Sequence, residues 1–272
     1  MANDELILLT GATGFIGGFL LEALLERGYR VRAVSRSPQH LCDLPDHERL
    51  EFAKADVLRR SDLRDLFDGV TSAYYLVHSM GMDTSDTEAF VEKDRRAARH
   101  FGEFAARAGV EQIVYLSGLK PDQTSSKHLE SRNEVERVLS ESEVGLTVLR
   151  AGFIIGPGSA GYDMLTALIS LLDKMMVIPQ FDNETQPAYV DDVVEALICC
   201  IEKRSETLGS IFEIGSRETI SYRDIIREFA RHMERDVEFE DIPWEPRWLS
   251  SAFISAISGV PYGTVRALSE GL

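Results

Sequence analysis

The sequence predicts an α/β fold: a doubly wound parallel sheet followed by a small C-terminal lobe. Three observations carry this. A buried strand, Glu5-Leu-Ile-Leu-Leu-Thr10, runs into the glycine-spaced turn Gly11-Ala-Thr-Gly14-Phe-Ile-Gly17, which opens an apolar helix leading to a second strand at Arg30–Arg36. Strands then alternate with helices as far as Arg150, which implies parallel pairing with ligands at the strand C-terminal ends. Beyond Gly156 that rhythm breaks.

Each element follows from local pattern. Leu50–Asp56 reads as a short strand, and Ser61-Asp-Leu-Arg-Asp-Leu-Phe67 as a helix capped by Ser61. Ser72–His78 is a buried strand, and residues 85–108 form an amphipathic helix stopped by Gly109. Glu111–Ser117 is the next strand, 126–142 the next helix, and Gly145–Arg150 another strand. A helix is expected over 160–175, then an irregular stretch from Pro179 to Pro187. A strand and helix resume at Ala188 and run to residue 204, with Asp191 and Asp192 as helix caps; Ile211–Ile214 returns to the sheet, and Ser221 caps another helix. The whole of 1–272 is read as one domain, with 153–187 and 234–272 forming a substrate-side lobe.

Composition narrows the function. A net charge of −16 and a pI near 4.8 argue against nucleic acid or an anionic membrane surface as a partner. Cys42, Cys199 and Cys200 have no metal-ligand spacing, and the count fits a reducing compartment. The first strand begins by residue 5, which leaves no room for a signal peptide, and no apolar run is long enough for a membrane span. A cytoplasmic location is expected.

The glycine turn is the strongest functional signal. Gly11 permits the tight turn, Gly14 lets a pyrophosphate approach the backbone, and Gly17 lets helix and strand pack closely. With Thr13, Phe15 and Ile16, this turn and the helix N-terminus form the phosphate-binding segment of a Rossmann unit. Where the second strand ends, an acidic residue would hold the adenosine ribose; Ser35-Arg36 stands there instead. A guanidinium suits a 2′-phosphate, so NADP(H) is favoured, with NAD(H) as the alternative; a surface arginine without a ligand role is the plain alternative for Arg36. Asp56 and Val57 are placed for the adenine ring, although an Asp there equally suits a helix cap. Val77, His78 and Ser79, at the end of the fourth strand, lie beside the dinucleotide path, with a satisfied structural histidine as the favoured alternative for His78.

These segments, with Leu116-Ser117, Leu149-Arg150-Ala-Gly-Phe-Ile-Ile-Gly-Pro157 and Val190-Asp-Asp-Val-Val194, resemble the short-chain dehydrogenase/reductases. The likeness is to their extended and atypical branches, which include NmrA-like proteins and the nucleotide-binding accessory subunit of respiratory complex I. Tyr75-Leu-Val-His-Ser-Met-Gly81, His128-Leu-Glu-Ser-Arg132 and Pro246-Arg-Trp-Leu are similar to a prokaryotic group labelled nucleoside-diphosphate-sugar epimerases. The resemblance implies a Ser, Tyr and Lys arrangement, in which Ser117 matches the serine. Where Tyr-x-x-x-Lys belongs stand His128 and Arg132, so both remaining members are replaced.

Arginine can bind ribose hydroxyls but cannot release a proton near neutral pH. Histidine can serve as an acid, and even a neutral imidazole donates one hydrogen bond beside Ser117. A polar residue on the first turn of a helix is the plain alternative for His128. The nicotinamide is expected near Gly152 and Phe153. Lys120 and Lys127 are candidates for an anionic substrate, Tyr162 and Tyr189 for a displaced phenol, each with a solvated or packed reading beside it. The apolar run Trp244–Ile257 suits a lipophilic substrate, a homodimer or partner surface, a membrane interface, which so acidic a chain makes the least expected, or packing on its own domain. The readings left are an NADP(H)-dependent oxidoreductase on a small or lipophilic carbonyl or quinone, a non-catalytic NADP(H)-binding sensor or assembly factor, and an NAD-dependent sugar-nucleotide epimerase or dehydratase.

Overall fold

A computed structural model describes residues 4–37, 44, 46–77, 87–119, 127–172, 174–242 and 247–270. The first strand, β1 (Leu6–Thr10), is buried at every position, as a central parallel strand requires. Helix α1 (Phe15–Glu26) buries Gly17, Leu20, Leu21, Leu24 and Leu25, one stripe at three- and four-residue spacing. After it come β2 (Arg30–Ser35), β3 (Leu50–Lys54), β4 (Val70–Tyr75), α2 (Thr87–Ala108) and β5 (Gln112–Gly118). Then follow α3 (Lys127–Ser140) and β6 (Gly145–Ala151).

The central sheet has seven strands in the order β11–β6–β5–β4–β1–β2–β3, where β11 is Ile211–Ile214, and every pairing in it is parallel. The chain leaves β1 towards β2 and β3, then returns to lay β4 on the other side of β1. A crevice therefore opens at the C-terminal ends of β1 and β4, where doubly wound sheets take their ligands.

Two apolar cores flank the sheet. On one face α2 and α3 pack with Phe67, Tyr75 and Tyr115; Phe101 meets Phe67 and Tyr75 edge-on, each at 4.9 Å between ring centroids. On the other face α1 packs against α5 (Val190–Glu202) through Leu20, Leu24, Val193 and Leu197. Each such side chain taken fully from water stabilises the fold by roughly 1.5–3 kcal/mol.

The lobe has a third core of its own. It combines α4 (Ala160–Leu171) and β8 (Lys174–Val177) with later elements; β7 (Ile154–Ile155) and β10 (Ala188–Tyr189) pair with each other and place Ile154 and Ala188 in the second core, and β9 (Glu184–Thr185) lies between β8 and β10 in the chain. The helical turn α6 (Arg204–Thr207) leads to β11, and β12 (Ile220–Ser221), α7 (Tyr222–His232), β13 (Glu238–Asp241), α8 (Arg247–Ser258) and α9 (Tyr262–Glu270) complete the chain. Leu165, Leu168 and Ile169 of α4 meet Ile225, Ile226 and Ala230 of α7 in this core. Helix α7 thus shares this core with residues from 153–187 and from 234–272.

Three local expectations change. The helix expected over 160–175 ends at Leu171, and Lys174–Val177 is a strand paired in parallel with β13. Met175 and Val177 alternate inward there, a period that a short apolar run hides from sequence reading. The helix expected from Ser61 is a single 3₁₀ turn, Arg60–Leu63; Ser61 lies inside it, its hydroxyl donating to Asp62 Oδ1 at 2.9 Å. Asp191 and Asp192 occupy the first turn of α5, whose N-cap position is Tyr189, so they act on the helix dipole and not as caps. Ser221 does cap α7, accepting the Asp224 N–H at 3.1 Å.

Candidate functional site

The glycine turn sits at the mouth of the crevice. Gly11 has φ +75°, and a Cβ there would lie 2.9 Å from the Leu76 carbonyl oxygen. The Gly14 N–H closes the turn onto the Gly11 carbonyl at 2.9 Å. A Cβ on Gly17 would fall 2.0 Å from the same carbonyl oxygen, so only glycine lets α1 rest on the turn. The N-terminus of α1 has no side-chain cap and no acidic residue in its first turn. Its N–H groups and dipole therefore fit an anionic pyrophosphate. Thr13 is exposed at this edge; Ile16 and Phe15 are partly buried, the Phe15 ring lying against Gly156.

Sequence reading missed the role of Thr10. Its buried hydroxyl donates to the Tyr74 carbonyl at 2.9 Å and accepts the Leu76 N–H at 3.1 Å, tying the ends of β1 and β4 together. Its place just before the glycine turn was the available signal.

At the end of β2, Ser35 Oγ accepts the Ser37 N–H at 3.3 Å. Arg36 is exposed and makes no ion pair or hydrogen bond among the described residues. Asp56 turns the chain after β3, its Oδ1 accepting the Leu58 N–H at 3.0 Å, while its own N–H donates to Asp62 Oδ2 at 3.1 Å. Val57 is buried in the core and Val77 packs against the same cluster. His78 and Ser79 lie outside the described residues.

At the end of β5, Ser117 is 1% exposed, and its Oγ has no hydrogen-bond partner among the described residues. It lies close enough to Tyr115 to favour that phenol's ionised form, yet burial dominates and pushes the Tyr115 pKa far up. Tyr115 thus keeps its proton, donating it to the Arg132 carbonyl at 3.3 Å. Arg132 is brought against this strand from α3: a Cβ on Gly118 would lie 3.6 Å from Arg132 Cδ. Burial lowers the basicity of its guanidinium, with Tyr115 and then Asp94 opposing that shift. His128 and Lys127 belong to the first turn of α3, but their side chains, like all of Lys120, lie outside the described residues.

Arg150 of β6 lies opposite Ser117 in register and pairs with Glu136 of α3 at 2.7 Å, both side chains nearly buried. This clamp fixes the helix that carries positions 128 and 132. At the end of β6, a Cβ on Gly152 would meet the Gln186 carbonyl oxygen at 3.1 Å, and Phe153 stacks edge-on with Tyr222 at 6.2 Å. Tyr162 packs on Phe229 at 5.4 Å, within the lobe, and Tyr189 is exposed. Among the described residues no helix is long and apolar enough to cross a membrane.

Comparison with known proteins agrees with this arrangement. The uncharacterized protein y4nG of Sinorhizobium fredii is 21% identical over 97% of the chain, which spans 69% of that protein. Cinnamoyl-CoA reductase 1 of Petunia hybrida is 31% identical over 52% of the chain, which covers 41% of that enzyme. Among solved structures, Epimerase Mth375 of Methanothermobacter thermautotrophicus superposes with a TM-score of 0.75 at 15% identity, covering 98% of this chain and 93% of that one. UDP-glucuronic acid 4-epimerase from Bacillus cereus, solved in complex with NAD, gives 0.74 at 19% identity, covering 98% of each. Residues 11–174 match the NAD(P)H-binding family model, from the glycine turn through the end of the central β-α units into the lobe. The chain belongs to that NAD(P)H-binding family and has a Rossmann-like fold.

Proposed function

We propose that the protein is an NADP(H)-dependent oxidoreductase acting on a small or lipophilic carbonyl or quinone. The observation that carries this reading is Ser117, a buried hydroxyl without a partner among the described residues, beside a desolvated Arg132 at the end of β5. A hydroxyl so placed is free to donate to a substrate oxygen. Cinnamoyl-CoA reductase and dihydroflavonol 4-reductase among the relatives support a reductase, although each shares only part of its length with this chain.

In this reading the cofactor supplies or accepts hydride when bound. The residues of the chain hold and orient the reactants. The first turn of α1 takes the pyrophosphate, and the exposed, unpaired Arg36 takes the 2′-phosphate. Arg132 stays cationic and binds ribose hydroxyls. Ser117 holds the substrate oxygen, and His128 is assigned the proton, because Tyr115 is buried and cannot give one up. The aromatic pair Phe153 and Tyr222 suits an apolar substrate. A cytoplasmic location fits the composition, and the C-terminal apolar segment is the proposed site for a homodimer or protein partner.

The same loss of tyrosine and lysine supports a second reading, a non-catalytic NADP(H)-binding sensor or assembly factor. An NAD-dependent sugar-nucleotide epimerase or dehydratase is disfavoured by Arg36 standing where an acidic residue would hold the ribose of NAD. The test is NADPH oxidation with a panel of carbonyls and quinones, repeated with His128→Phe. Turnover that disappears in the variant while NADPH affinity stays within about fivefold, under ~1 kcal/mol, supports the enzyme reading. Unchanged turnover removes His128 from the mechanism, and no turnover with any acceptor favours the sensor.

A further inference from the structure

The loop that leaves β3 is gripped from one face of α2. His100, Glu103 and Phe104 stand three and four residues apart on that helix, so they share one side of it. Nδ1 of the half-buried His100 lies 3.3 Å from the Val57 carbonyl oxygen. A carbonyl only accepts, so Nδ1 carries the proton and donates it. Asp56 Oδ1 holds the other end of the same peptide unit, accepting the Leu58 N–H at 3.0 Å. Further along, Arg60 pairs with Glu103 at 2.7 Å and lays its guanidinium over the Phe104 ring, 5.3 Å from the centroid. The peptide after Val57 is thus held at both ends, while the Val57 N–H before it has no partner among the described residues.

We propose that His100 is a positioning residue for the adenine end of the cofactor. By holding the Val57 carbonyl it aims the Val57 N–H and the Asp56 carboxylate at the base. The inference rests on the cofactor reading above, with the adenine beside Asp56 and Val57. A free N–H next to a carboxylate offers one donor and one acceptor. Adenine presents the complement, an acceptor at N1 beside a donor at its 6-amino group. Hypoxanthine, its 6-oxo counterpart, presents the reverse and sets donor against donor and acceptor against acceptor. His100 acts through one peptide and not by touching the base.

Calorimetric titration of the full chain with NADPH and with its hypoxanthine analogue tests this. The readout is the ratio of the two dissociation constants, which general damage to the fold leaves unchanged because it weakens both alike. The native chain is expected to prefer NADPH by about tenfold or more. His100→Ala is expected to cut that preference by about three- to tenfold, mainly by weakening NADPH. His100→Asn, whose amide donates from near the place of Nδ1, is expected to keep it within about twofold of native. Should His100→Ala fail to fold, His100→Phe fills the space without a donor and carries the same expected loss. A ratio within about twofold of native in the donor-less variant overturns the proposal and leaves the cofactor reading intact. A loss in His100→Asn as deep as in His100→Ala assigns the effect to ring packing and overturns it as well. So does a native chain that binds NADPH without preferring it to the analogue, because nothing at Asp56 and Val57 then reads the base. Native protein that binds neither overturns both the proposal and the cofactor reading.

Discussion

Thr10 accepts the Leu76 N–H across the ligand crevice at 3.1 Å, while its own proton goes to the Tyr74 carbonyl at 2.9 Å. One hydroxyl thus fixes the spacing of β1 and β4 at the point where the strand order reverses. Thr10→Val keeps the shape but leaves a donor and an acceptor without their partner. The expected cost is about 1–3 kcal/mol in denaturant unfolding, with weaker NADPH binding. Wild-type stability in the variant would show that the hydroxyl is dispensable.

Arg36 is the expected selector of the cofactor. Arg36→Ala should weaken NADPH binding by about tenfold or more, ~1.4 kcal/mol, and leave NADH binding almost unchanged. Equal losses for both would place Arg36 elsewhere on the dinucleotide.

The Glu136 and Arg150 side chains are 10% and 12% exposed, so breaking their pair strands a charge in the interior. Glu136→Leu should destabilise the fold by about 3 kcal/mol, at the low end for buried pairs because Glu213 approaches Arg150 at 3.6 Å. Replacing both, as Glu136→Leu with Arg150→Met, should recover much of that loss. A double variant no more stable than Glu136→Leu alone would contradict a charge-pair origin.

Two half-buried carboxylates make stability depend on acid. Asp62 is held below its ordinary value of 3.8 chiefly by the Asp56 N–H, and Asp224 chiefly by the Ser221 hydroxyl and then by Arg227. In each case the unfolded chain takes up the proton first as pH falls. Their contribution is therefore complete above that ordinary value and lost as pH drops through the lower folded value. Asp62→Asn and Asp224→Asn should each be less stable than the native chain near neutral pH. The gap should close below about pH 3.8; a gap that stays constant would rule out this linkage.

Much of the sheet is legible in the sequence because its signals are local. Gly11, Gly14 and Gly17 must be small for reasons that a strand, a turn and a helix state within a short stretch. Gly109 ends α2 and Ser221 caps α7 as their types require. The miss at 174–177 has another cause: that strand exists through its pairing with 238–241, a partner more than sixty residues away. The site divides in the same way. Ser117 and Arg132 are candidates through the family resemblance, which their places after the fifth strand carry. Thr10 is flagged only by its place before the glycine turn, and what it bonds, 64 residues away, no local pattern announces.

The core of the lobe has a consequence for engineering. It interleaves two stretches of chain, α4 with β8 and α7 with β13, separated by β10, α5 and β11, which belong with the main body. Neither stretch alone can bury its apolar face, so the lobe cannot be transplanted as one contiguous cassette. A chimera meant to carry another relative's version of this core must exchange both stretches together. Exchanging one would leave Leu165, Leu168 and Ile169 facing Ile225 and Ile226 from a mismatched donor.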